Sequence, residues 1–238
     1  MNINNNFIYT GNLLFKYRSY IPLMLLPFII FSIKNINDVY IDYNIIILPA
    51  CILISMIGLL LRIVAVGTTP NKTSGRNTKK QVAKVLNKTG IYSILRHPLY
   101  LANYFILSGI VLYSCQIIYF ILFTLLFILY YERIIFAEED YLGNKFKNEF
   151  FEWSSTTSTI IPIFTRYKVN NHKTSLKKIL FREYTGLCAI IAMYCILVET
   201  YSYFHYIAYS SNIVIKVIFL CNLIIYLLIR LIKKYIYG

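Results

Sequence analysis

The chain is 238 residues long and 58% hydrophobic, with 14% charged residues where an ordinary soluble domain has roughly a quarter. That composition excludes a soluble globular domain and predicts an all-α, polytopic helical membrane protein. The net charge of +14 is a topology signal once set against the apolar runs, and it gives no support for a nucleic-acid partner. The five cysteines (Cys51, Cys115, Cys188, Cys195, Cys221) lie in or beside apolar runs without a C-x-x-C pair, which predicts reduced, buried thiols and no metal site.

In chain order, Met1 to Tyr20 reads as a polar, Asn-rich lead. Ile21 to Ile33 is a first span containing Pro22 and Pro27, and the long polar lead argues against a cleaved signal peptide. A second span covers about 44–66, with Arg62 near its end, where a snorkelling head group is expected. Gly67 to Lys88 is polar and basic. Thr78-x-x-Gln81 has capping-box spacing, and Val82, Val85 and Leu86 share one helical face. A short amphipathic helix on an anionic membrane surface is the expectation there, with a solvated basic loop as the alternative.

Gly90 to Tyr100 follows, with an Arg96-His97-Pro98 bend. Proline removes a backbone donor and disfavours helix at the residue before it, so a new helix should begin at this point. Spans three (Leu99 to Tyr113) and four (Gln116 to Phe136) are separated only by Ser114 and Cys115, which predicts a tight antiparallel hairpin. A polar region to Arg182 precedes a fifth span near Tyr184 to Ile207 and a sixth near Asn212 to Ile232. No internal repeat is visible, so one membrane domain is expected, with a core at about 44–165 and an added hairpin at about 184–232.

Of the 24 Lys and Arg, only Lys34 and Lys216 fall on the side reached after odd-numbered spans, the asymmetry of six helices with both termini in the cytoplasm. On this layout the hairpin returns Glu138 and Glu139 to the face on which Arg96, His97 and Tyr100 open span three. Ionisable groups at a membrane mouth are functional candidates by default.

The residues G-x-Y-x-x-x-R-H-P-x-Y at 90–100, followed by E-E-x-x-L-x-x-x-F from Glu138, resemble the isoprenylcysteine carboxyl methyltransferase and phospholipid methyltransferase superfamily. Glu149, Trp153 and Pro162 extend the similarity without a gap. Ala102 and Lys147 stand where the family has glycines, and Phe150 where it has tyrosine. The resemblance implies S-adenosylmethionine as methyl donor, bound without a Rossmann fold in a cytosol-facing pocket closed by the segment after the last core helix. It also implies that Tyr92, His97, Pro98, Tyr100 and Leu101 line that pocket, and that Glu138 or Glu139 holds the donor's amino group. Arg96 and Glu139 are the expected catalytic pair. Arg96 would orient an anionic carboxylate or phosphate oxygen, and Glu139 would deprotonate a lipid amine. The acceptor is expected to be a membrane lipid or lipid-linked group. The richness in Asn, Ile and Lys points to an AT-rich genome, hence to a bacterial inner membrane. The alternatives are a degenerate member that binds lipid or cofactor without turnover, and a transporter or assembly subunit, for which only Glu199 and Lys216 offer deep charges in the last two spans.

Overall fold

The computed structural model describes residues 2–36, 46–67, 69, 81–170, 176–205 and 212–237. They form α1 (Ile3–Tyr17), α2 (Ile21–Lys34), α3 (Leu48–Gly67), α4 (Pro98–Leu112), α5 (Ile117–Phe146), α6 (Asn148–Thr156), α7 (Leu176–Phe204) and α8 (Asn212–Tyr237). Among the described residues the only β-type pairing is an isolated antiparallel bridge between Gly90 and Lys168. The all-helical membrane architecture expected from composition is therefore present.

Four helices, α3, α5, α7 and α8, are long and apolar enough to cross a bilayer. The other two expected spans are shorter. α2 has 14 residues and α4 has 15, or about 21–23 Å at 1.5 Å per residue, against a hydrocarbon core of about 30 Å. α4 can be short because it is an interior helix. Leu107 to Val111 and Ala102 are buried on it, and it contacts α3, α5 and α7.

Glycine makes the α3–α4 crossing close. A Cβ at Gly58 would lie 2.5 Å from the Ala102 carbonyl oxygen, so the two backbones touch there, as small residues allow in membrane helix pairs. Ala102, one of the two family glycines replaced here, belongs to this crossing and is fully buried. Ser55 Oγ completes the seam by donating to the Ile106 carbonyl at 2.9 Å and meeting the Tyr194 hydroxyl of α7 at 2.8 Å. α8, by contrast, contacts α7 and leaves a run of apolar side chains exposed, the signature of a lipid-facing helix.

The N-terminal lead is a helix. Phe7, Gly11, Leu14 and Phe15 recur at i, i+4, i+7 and i+8 and form one face of α1, which packs on the far end of α5. Gly11 sits against the Arg133 carbonyl, the Arg133 guanidinium lies 3.5 Å from the Phe7 ring centroid, and Tyr130 donates to the Leu14 carbonyl at 2.6 Å.

The amphipathic helix expected before Gly90 is not formed. Thr78 lies outside the described residues, and 81–88 carry no helix. A short isolated helix is marginal without packing, and this segment instead spends its contacts on other elements. Gln81 bonds Asn12 of α1, Lys88 pairs with Glu149 of α6 at 2.6 Å, and Leu86 is buried.

α5 runs ten residues past the expected end of span four and stops at Lys147, whose φ of 48° and ψ of −124° favour glycine. The family glycine missing here is therefore one the backbone requires. Lys147→Gly should relieve left-handed strain and raise stability by about 1 kcal/mol, read as a higher unfolding midpoint in detergent. A lowered midpoint would refute this.

Candidate functional site

The bend forms as the sequence predicts. Gly90 adopts φ 62°, Ile91–Ser93 make one tight turn, and Pro98 is the first residue of α4, with His97 outside the helix. The Gly90–His97 segment is then tied down by the stretch after α6. The amides of Arg96 and His97 donate to the carbonyls of Ser158 (2.8 Å) and Thr159 (3.2 Å). Ile163 donates to Ile94 (3.0 Å) and Gly90 to Lys168 (2.9 Å). Trp153 Nε1 donates to the Tyr92 carbonyl at 3.0 Å, and the Lys168 amide to Ser93 Oγ at 2.9 Å. Residues 153–168 are thus a strap across the bend, where the resemblance expects a closing segment.

Within this frame the predicted cluster comes together. Tyr100 donates to Glu138 Oε2 at 2.5 Å. His97 Nε2 is 2.9 Å from Glu139 Oε1, and His97 Nδ1 is 3.6 Å from Glu138 Oε2. The imidazole stacks on the Tyr100 ring with centroids 5.4 Å apart. Burial on its own would push the His97 pKa down, but the hydrogen bonds and charges of the two glutamates outweigh it and hold the group above its ordinary value. Burial, joined by the Glu138 charge, pushes the Tyr92 phenol up and keeps it protonated. Arg96 is committed to the strap through Ser154 O (3.2 Å) and the Thr159 hydroxyl, and its Nε faces Glu139 at 3.2 Å.

These residues stand between two cavities. A small one of about 90 Å³ lies beneath residues 81–87 and Trp153, and a larger one of about 560 Å³ runs between α4, α5 and α7. Tyr92, Arg96, His97 and Glu138 line both, while Pro98 and Tyr100 line the larger. Two expected residues are placed elsewhere. Leu101 packs in the apolar cluster of Ala65, Ile91, Ile94 and Leu95 rather than on a cavity wall. Glu139 lines neither cavity and faces Arg96 and His97, so Glu138 is the carboxylate that meets the open space.

The structure adds a polar group that no local pattern indicated. Arg62 does not snorkel. Its Nε bonds Glu183 Oε2 of α7 at 2.8 Å, and its Nη1 bonds Asn103 Oδ1 of α4 at 2.6 Å. Asn103 in turn donates to the Tyr131 hydroxyl at 3.1 Å. Arg62, Asn103 and Tyr131 line the larger cavity. The Arg62–Glu183 pair spans 121 positions of sequence, which hides it from periodicity. Glu183 sits one residue ahead of the expected fifth span and reads there as a loop charge.

An all-helical membrane fold whose hairpin holds two glutamates, an imidazole and two tyrosines beside an amphiphilic cavity sets the class of protein. Within it, residues 49–149 match the family described as phospholipid methyltransferase. The match begins in α3 and ends at the start of α6, leaving α1, α2, α7 and α8 outside it. Compared with curated proteins and with solved structures, the chain matches none.

Proposed function

We propose that the chain transfers a methyl group from S-adenosylmethionine to a lipidic acceptor at the membrane surface. The observation that carries this reading is the larger cavity. Its volume of about 560 Å³ falls in the usual range for ligand sites, and it joins the ionisable cluster to an apolar stretch of Ile106, Leu107, Ile110, Ile190 and Met193. The residues present suit the donor. Glu138 offers a carboxylate to an ammonium, and Phe15, Tyr100 and Tyr131 offer aromatic faces to a sulfonium. Once bound, the donor would supply an activated methyl carbon whose bond to sulfur breaks with the electron pair remaining on sulfur.

The remaining work falls to this chain. Tyr100 and His97 fix the Glu138 carboxylate through the contacts described above. Glu139 orients His97 and Arg96, which makes it a positioning group in this reading. Arg96 holds the strap over the bend and so fixes the bend residues, which makes alignment the main source of acceleration. An oxyanion acceptor attacks as it stands. A lipid amine must first give up a proton, and Glu138, engaged by Tyr100, His97 and the donor's ammonium in this reading, is not free to take it.

Isothermal calorimetry on protein in detergent tests the donor. Wild type should bind S-adenosylmethionine, and His97→Ala should weaken binding at least tenfold; well-folded wild type that releases no heat sinks the reading. The charge asymmetry supports a cytoplasm-facing cluster. Cysteine labelling in inverted and right-side-out vesicles should find Glu152→Cys reactive only from the cytoplasm and Asn35→Cys, exposed beyond α2, only from outside. The reverse pattern would put the cluster on the wrong side.

A further inference from the structure

The chain has eight arginines and 16 lysines. Four of those arginines, Arg18, Arg62, Arg96 and Arg182, line the larger cavity, and among the described residues no lysine does. Among the described residues Glu138 is the single carboxylate on that lining. Random placement of positive charge would favour lysine twofold, so the cavity selects the guanidinium group rather than basicity. A guanidinium is a planar fork that grips phosphate or carboxylate oxygens in pairs, whereas an ammonium is a point charge.

The arginines are also placed for a ligand. Arg62 is held by Glu183, whose side chain is 6% exposed, and by Asn103, while its own side chain remains 27% exposed. It is thus oriented without being sealed off. Arg182 is the residue before Glu183 on α7, and Arg62, Arg182 and Glu138 all act electrostatically on the half-buried Tyr92 phenol. From there Gly186, Ala189, Ile190 and Met193 continue the α7 wall opposite Leu107 and Ile110 of α4. An anion-gripping end therefore opens into an apolar trough.

We infer that the methyl acceptor is a lipid with an anionic headgroup, phosphate or carboxylate, seated on Arg62, Arg182 and Arg18 with its chain between α4 and α7. This inference rests on the proposed methyltransferase reading but concerns a different ligand. It gives α7, which lies beyond the matched residues 49–149, the task of choosing the acceptor.

The experiment is lipid retention by the full-length chain. Protein in detergent is incubated with equimolar phosphatidylglycerol and phosphatidylcholine, and bound lipid is weighed by native mass spectrometry. Retention should favour phosphatidylglycerol at least tenfold, and Arg182→Gln should abolish the preference, while Arg182→Lys keeps part of it. Should Arg182→Gln fail to fold, Arg18→Gln, outside any helix, carries the same expectation. Competition by millimolar inorganic phosphate assigns recognition to the headgroup anion alone; lack of competition assigns it to the whole lipid. Equal retention of both lipids, or a preference unchanged in Arg182→Gln, overturns the inference. S-adenosylmethionine binding by the same wild-type sample reads the enzyme proposal separately. Donor binding without anionic preference sinks only the acceptor assignment, and anionic preference without donor binding sinks the transfer and leaves an anionic-lipid site that accepts no methyl group.

Discussion

Glu138→Gln should lower methyl transfer by at least about tenfold, equivalent to about 1.4 kcal/mol of barrier, while leaving membrane insertion intact. The substitution is nearly isosteric, but it takes a charge-assisted acceptor away from Tyr100 and His97 and removes the one carboxylate that the described residues place on the larger cavity's lining. A pH profile distinguishes this from general damage. The His97 pKa is raised in the folded state, so its contribution to stability is complete below the unfolded value of about 6.5 and is lost as pH rises through the folded value. With glutamine at 138, one of the two carboxylates that raise it is gone, and the loss should begin at lower pH. Glu152→Gln, exposed on α6 and away from the cavities, serves as the control and should retain activity. Unchanged lipid methylation in Glu138→Gln would reduce the hairpin cluster to a helix end with no part in the chemistry.

The largest loss of stability is expected from Glu183→Ala. Removing one partner of a part-buried charged pair costs about 1–3 kcal/mol, because Arg62, still bonded to Asn103, loses its carboxylate. Glu183 is 5% exposed, and its carboxylate accepts from both Nε and Nη2 of Arg62, at 2.8 and 3.4 Å. Replacing both partners together, as Arg62→Met with Glu183→Met, should recover most of the loss, since an apolar pair of similar volume is often neutral. The double variant should nonetheless lose the anionic-lipid preference, which needs the Arg62 fork. Urea or thermal unfolding in detergent reads the first effect and lipid retention the second. A Glu183→Ala protein as stable as wild type would show that Arg62 finds water or headgroups instead.

Much of this architecture was legible in order of chain. Apolar runs located α2, α3, α4, α7 and α8, because a bilayer demands length and composition from every spanning segment. Proline after histidine marked the start of α4, and the two-residue break after Tyr113 marked the hairpin that returns Glu138 toward His97. Those are local rules, and they hold here. α1 is hard to read in the sequence because asparagines and other polar residues interrupt its apolar ones, although Phe7, Gly11, Leu14 and Phe15 keep helical spacing. Residues 81–88 failed in the other direction, since a good amphipathic pattern lost to contacts with α1 and α6.

By itself the sequence determined the membrane class, the order of the helices and the convergence of an arginine–histidine–tyrosine motif on an acidic one, all of which follow from composition and near-neighbour spacing. Only the tertiary structure decided which glutamate faces the cavity. Adjacent residues on a helix point about 100° apart, and nothing in E-E says how α5 is rotated until α1 and α4 pack against it. The same holds for Arg62 and Glu183. Each reads locally as an interfacial charge, and the pair exists because α7 lies along α3, bringing an arginine and a glutamate together where low exposure makes each need the other.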